Sequence, residues 1–182
     1  MILLPARAWR SLAAALDLRV SDEVPPDAWR QLPELSGKRD RFAVVARVVR
    51  EERSPDGACT QIALRLTDVD AGFSFRLELV EPDAVPDDVR TGRDSRDHDG
   101  AFERAFALTG PDASAARRAF VPTLRTRTLA LPPFEHVAVS SRTLTLTRAG
   151  FFADPAGTHD SLLVLRQLAH AVDAKTLAVE DR

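Results

Sequence analysis

The segment from residue 90 to residue 110 holds the densest group of side chains in this sequence that could bind a metal or act in catalysis. The first, third, fifth and sixth positions of a calcium-binding loop are matched by Ser95, Asp97, Asp99 and Gly100. The twelfth position, where that loop needs a bidentate Glu, is Phe106, so a classical EF-hand is excluded. We interpret residues 81–101 as an exposed acidic loop, in which the candidate metal ligands are Asp94, Asp97 and Asp99.

The same loop contains His98, which would give these carboxylates a partner in metal-assisted hydrolysis. None of the four histidines stands in an HxH or HExxH pattern or pairs with a cysteine, however. No P-loop, GxSxG, GxGxxG or CxxC pattern is present either. The sequence therefore predicts no catalytic residue and no cofactor, and a hydrolase that uses residues 94, 97, 98 and 99 remains the alternative.

Between residues 111 and 150 the sequence contains six arginines but only two acidic residues. Those that could contact an anion or a partner are Arg117, Arg118, Arg125 and Arg127. Three interpretations stay open: solvated helix and sheet faces, pairing with the acidic loop of the same or another chain, and binding of an anion or nucleic acid. A formal net charge of −2 gives no overall electrostatic support to nucleic-acid binding.

Composition places the chain among ordinary globular proteins. Its 182 residues suit one domain, with 45% hydrophobic and 29% charged residues. The single cysteine, Cys59, excludes an intrachain disulfide. The first ten residues have neither the charge pattern of a secretory signal nor the length of a membrane span, so we expect a cytoplasmic protein without membrane insertion.

Hydrophobic periodicity in the first half predicts a helix, a connector and a sheet. Residues 1–38 contain an amphipathic helix, at 6–18, followed by a Pro-rich connector. Within residues 39–80 the short turns predict a three-stranded antiparallel meander. Its first strand, at residues 41–50, is apolar on both faces, which is typical of a strand covered on both sides.

The second half, residues 102–175, is predicted to contain a strand, a helical stretch, a hairpin and a closing helix. The strand covers residues 102–108, and Pro122 breaks the helical stretch that follows. The hairpin joins residues 136–140 to residues 143–147. The fold class predicted for residues 1–182 is therefore a single α+β domain, with a mainly antiparallel sheet of about six strands and helices packed on one face.

Several residues around this strand give the chain a resemblance to a family of uncharacterised bacterial proteins that are often tethered to a membrane. The matching residues are Thr91, Gly92, Phe102, Glu103, Phe106 and Gly110, followed by a helix, a hairpin and a closing helix. The resemblance extends over residues 34–174 and implies the same fold. This sequence departs from the family in its longer charged loop between Gly92 and Phe102. Its first residues are also not expected to form the transmembrane helix that members often carry ahead of the domain. The family has no known activity, so the resemblance assigns no site residue.

The absence of an activated nucleophile and of a ligand set, together with a well-patterned core, favours a non-catalytic binding or assembly module of a bacterial cell. Its expected partner is another protein or a second copy of the chain, and no nucleic acid is expected.

These interpretations predict different effects on stability for substitutions at Phe106 and Asp97. Because Phe106 is predicted to anchor the core, Phe106→Ala should lower the free energy of unfolding by about 3–5 kcal/mol. Asp97→Ala, in the exposed loop, should leave it nearly unchanged. Chemical denaturation of the two variants measures both effects, and a larger loss for Asp97→Ala would favour a site in the loop.

Overall fold

The computed structural model of the protein describes residues 3–52, 54, 57–80 and 98–180, without the side chains of residues 3–4, 98–99 and 174–180. These residues form five α-helices, which are α1 Leu3–Ala15, α2 His98–Ala105, α3 Ala113–Ala119, α4 Pro122–Leu129 and α5 Pro155–Glu180. They also form eight strands, which are β1 Arg19–Val20, β2 Leu35–Arg39, β3 Phe42–Arg50, β4 Ala58–Arg65, β5 Phe75–Leu79, β6 Phe106–Thr109, β7 His136–Ser140 and β8 Thr143–Ala149. A short 3₁₀ turn at Trp29–Gln31 precedes β2.

All eight strands join one antiparallel sheet in the order β1-β2-β3-β4-β8-β7-β5-β6. The α+β class and the single domain are thus confirmed, whereas the predicted count of about six strands was too low. The prediction missed β1 and β2. β1 directly follows the helix predicted at residues 6–18, and β2 overlaps the end of the predicted connector. Pro33 and Gly37 obscured β2 in the sequence, yet all five of its residues pair with β3.

The predicted three-stranded meander is wrong, because the β7–β8 hairpin inserts between its second and third strands. β4 pairs with β8 in the register Ile62↔Leu146, and β5 pairs with β7 and β6. The nine residues from 66 to 74 connect β4 to β5. Fully extended they reach about 30 Å, which is ample for three strand spacings of about 4.8 Å each. A short connection therefore did not require the two strands to be neighbours.

One face of the sheet carries the core. On β3, for example, Phe42, Val44, Ala46 and Val48 are buried and face the helices. On the second face the row Val45, Ala63, Thr145 and Ala138 crosses four strands and is only half-buried. The prediction that the helices pack on one face is confirmed. The prediction that the first long strand is covered on both sides is wrong, because its second face is only half-buried.

Residues 98–105 also differ from the prediction, since they form α2 where an exposed loop was expected up to residue 101 and a strand from residue 102. Phe102 and Phe106 are four residues apart, one helical turn, and their ring centroids lie 5.0 Å apart. β6 begins only at Phe106, whose ring stacks on Phe134 at 5.4 Å. Gly110 ends this strand with a φ of 110°, and a Cβ there would lie 3.0 Å from the Cα of Phe75. Only glycine fits that position without strain.

Helix α5 spans the core face of the sheet and closes the domain. Leu162, Leu165, Leu168, Ala169 and Val172 are buried along one side of it. Toward its end, the buried carboxylate of Asp173 accepts a hydrogen bond of 2.7 Å from Arg41, beside the β2–β3 turn. Burial raises the pKa of Asp173 and Arg41 opposes that shift. The helix is therefore held by apolar packing and, at this end, by an ion pair to the sheet.

Candidate functional site

A surface groove between α4 and α5 is the candidate site. Two depressions lie along it, one of about 280 Å³ near the start of α5 and one of about 410 Å³ farther along that helix. The first is lined by Arg127, Ala130, Leu131, Asp160, Leu163 and Val164. The second is lined by Ala119, Val121, Thr123, Leu124, Gln167, His170 and Ala171. Since the late residues of α4 face the early residues of α5, the two helices run antiparallel.

The wall formed by α5 is a second stripe on that helix beside its core stripe, and the buried Val164 belongs to both. Its residues are Asp160, Leu163, Val164, Gln167, His170 and Ala171. Steps of three and four residues keep these positions on one side of a helix. At a rise of 1.5 Å per residue, the stripe from residue 160 to residue 171 is about 17 Å long, or three turns.

The other wall depends on Pro122, which begins α4 at a position where its missing N–H costs no helical hydrogen bond. The preceding Val121 is extended, with φ −64° and ψ 159°, and its side chain is 46% exposed. Leu124, one turn later, is buried. The break between α3 and α4 thus leaves an apolar side chain exposed at the edge of the groove.

Charged side chains fix the rim beside the larger depression. Asp40, at the turn between β2 and β3, accepts a hydrogen bond of 2.9 Å from Arg166 Nε, and its carboxylate lies 3.5 Å from His170 Nε2. The hydrogen bond from Arg166 holds the pKa of Asp40 below its ordinary value. The ring of His170 also meets that of Phe42 edge-on at 4.9 Å. The rim is therefore polar while the floor of the groove is apolar.

The four arginines predicted to contact an anion or partner are not brought together. Arg117 and Arg125 lie 2.6 and 3.8 Å from the carboxylate of Glu103 on α2, respectively. Arg125 also donates to the Phe120 carbonyl at 2.8 Å. Arg118 is exposed, and Arg127 lines the smaller depression of the groove. Two of the four thus pair within the chain, and one belongs to the candidate site.

The predicted metal ligands lie largely outside the described residues. Asp94 and Asp97 belong to the undescribed stretch, and only the backbone of His98 and Asp99 is described, at the start of α2. Among the described side chains no cluster of three or more His, Cys, Asp or Glu residues could hold a metal ion. The metal site and the hydrolase alternative therefore stay untested predictions.

Two nucleophilic side chains, Cys59 and Ser161, are buried. Cys59 is 3% exposed, and burial raises the pKa of its thiol to about 11. Ser161 is fully buried and its hydroxyl donates to the Gly157 carbonyl at 2.6 Å. His159 and Asp160, its neighbours in sequence, are both exposed.

Sequence reasoning missed the groove, although part of its signal is visible in the sequence. The closing helix has apolar residues beyond its core stripe, because Leu163 and Ala171 are only half-buried and Val164, although buried in the core, also lines the groove. An amphipathic surface helix needs only one such stripe. What the sequence does not contain is the second wall, since the pairing of α4 with α5 arises only in the tertiary structure.

Comparison with known proteins supports the fold. Among solved structures, the chain is similar to the crystal structure of the mycobacterial trehalose monomycolate transport factor A, with a TM-score of 0.58 and 16% sequence identity. The match covers 92% of this chain and 94% of the other. No protein-family model matches the chain, and no curated protein sequence matches it significantly. Over the part of the chain that the structure describes, every helix is too short or too polar to cross a membrane.

The reactivity of the buried Cys59 thiol tests how tightly the core around β4 is packed. At pH 8 Cys59 should react with a disulfide reagent such as DTNB at least 100-fold more slowly in the native protein than in the unfolded chain, because a nucleophilic thiolate requires both exposure and deprotonation. Absorbance at 412 nm with and without denaturant gives the two rates. Similar rates would show that Cys59 is accessible and would contradict its burial in the core.

Proposed function

We propose that this protein is a non-catalytic binding module that docks a helical segment of a protein partner in the groove between α4 and α5. The observation that carries the proposal is the second stripe on α5, which places the two depressions in line along about three helical turns. A groove of this kind accepts the apolar face of an amphipathic helix, whose anchors recur every three or four residues.

The composition of the groove favours a protein partner. Its floor is provided by Leu124, Leu131, Leu163 and Val164, which would bury apolar anchors. Arg127 and Asp160 on the two sides of one end give that rim both signs of charge. Asp160 would repel a polyanion, whereas a partner helix with charges of both signs on its polar face can pair with both Arg127 and Asp160.

The fold neighbour gives limited support to the same proposal. Its name describes a factor for the transport of trehalose monomycolate, which is a role defined by what is moved and not by a reaction. A non-catalytic role for the present chain agrees with that name. At 16% identity the likeness extends to the fold alone, so it supplies neither a substrate nor a partner. Membership of the bacterial family and a cytoplasmic location remain predictions.

Two exposed valines provide a matched test of the groove. Val121, at its edge, is 46% exposed, and Val24, in the connector, is 45% exposed. Each would be replaced by Glu in a tagged protein expressed in its native cell. We expect both variants to fold with melting temperatures close to that of the wild type, because single surface substitutions change stability by about 0.5 kcal/mol or less.

Affinity purification with quantitative mass spectrometry then compares the three proteins. A partner retained by the wild type and by Val24→Glu should fall at least tenfold with Val121→Glu, since a charge would enter an apolar contact. If the partner is a second copy, sedimentation should show the same loss for the oligomer. Equal retention of every partner by the two variants would contradict docking in the groove.

A further inference from the structure

A buried arginine beneath the first turns of α5 forms a polar niche that the groove does not use. Arg148 on β8 points to the core face and is 2% exposed. Its Nη2 donates to the Ser161 hydroxyl at 2.8 Å, and its guanidinium lies 4.0 Å from the centre of the Phe152 ring. Its Nε and Nη1 have no hydrogen-bond partner among the described residues. Thr158 is equally buried, and its Oγ1 also lacks a partner there.

The electrostatics of this niche are unbalanced. A buried guanidinium ordinarily requires a carboxylate, because removing its charge from water costs several kcal/mol. Here the charge lies under the N-terminal turns of a 26-residue helix, where the helix dipole adds further positive potential. Both features favour a negative charge at the same place.

Asp154, the acidic group whose charge acts on Arg148, is already engaged elsewhere. Asp154 acts on Arg148 at a distance, but its Oδ2 accepts the Gly157 N–H at 2.7 Å as the cap of α5. Arg148 makes no ion pair with it among those within 4.0 Å in the described part of the chain. Burial lowers the pKa of Arg148 to about 10, which leaves the guanidinium charged at neutral pH. The positive charge is therefore present and only partly balanced.

We propose that this niche binds one small monovalent inorganic anion of the size of chloride, held by Arg148 Nε and Nη1 and by the Thr158 hydroxyl. The size follows from burial. Arg148 and Thr158 are each 2% exposed and Ser161 is fully buried, so only an ion enclosed within the fold can reach these groups. A carboxylate or phosphate carried on a larger molecule would need an opening to solvent that this burial does not leave. The exposed Asp154 and half-buried Phe152 mark the side nearest to solvent, from which an ion would enter.

The anion would join β8 to the start of α5, and this inference does not depend on the proposed function of the groove. Its test is the melting temperature of the protein in sodium chloride against sodium gluconate at one total ionic strength. Because a ligand that binds only the folded state stabilises it by mass action, replacing gluconate by chloride should raise the melting temperature by several degrees and saturate. Bromide should act like chloride.

Two variants separate a bound ion from a general salt effect. Arg148→Met should abolish the chloride dependence. Arg47→Met is the matched control, because Arg47 is a half-buried arginine on the second face of the sheet, hydrogen-bonded to Gln61 at 2.9 Å; it should keep the full dependence. An unchanged melting temperature of the wild type in chloride, or a dependence that persists in Arg148→Met, overturns the proposal.

Crystals of the wild-type protein in sodium bromide decide the matter if Arg148→Met does not fold. An anomalous peak within hydrogen-bonding distance of Arg148 Nε supports the anion. An ordered water at that position, without anomalous signal, overturns it.

Discussion

The packing of α5 across β4 and β8 is the contact on which the rest of this structure depends. Its buried residues, Leu162, Leu165, Leu168 and Val172, each gain about 1.5–3 kcal/mol by leaving water. β4 and β8 are also the pair that joins the two halves of the sheet, with Leu64 opposite Leu144. The helix thus covers the seam between the first strands and the later hairpin. Because α3 and α4 pack against the same helix, it fixes the position of the groove as well.

Both ends of this contact involve buried charge. Near the start of α5, Arg148 lies under the helix with a partial set of hydrogen bonds. Near its end, Asp173 pairs with Arg41 through one carboxylate oxygen, while its Oδ1 has no hydrogen-bond partner among the described residues. Such groups contribute less stability than apolar residues of the same volume but penalise every arrangement in which they stay unpaired. We infer that they fix the position of α5 along the sheet, which apolar packing alone specifies less sharply.

The sequence predicted those parts of the fold that depend on neighbouring residues. The hairpin of β7 and β8, the break at Pro122 and the closing helix all follow from local periodicity and turn residues. The position of β5 could not be predicted, because the nine-residue connection after β4 is long enough to pass the two strands, β8 and β7, that lie between them. α2 was mistaken for a strand since Phe102, Phe106 and Leu108 fit alternation as well as a helical turn. The groove was missed because its two walls meet only in the tertiary structure, although the second stripe on α5 was a usable signal.

Docking of a partner between α4 and α5 is the central claim, and photo-crosslinking in the native cell tests it most directly. A benzophenone amino acid would be placed at Leu163 and at Ala171, near the two ends of the groove, and at Thr145 on the second face of the sheet. The account predicts the same crosslinked partner from both groove positions and none from Thr145. A partner captured from Thr145 and from neither groove position would contradict it.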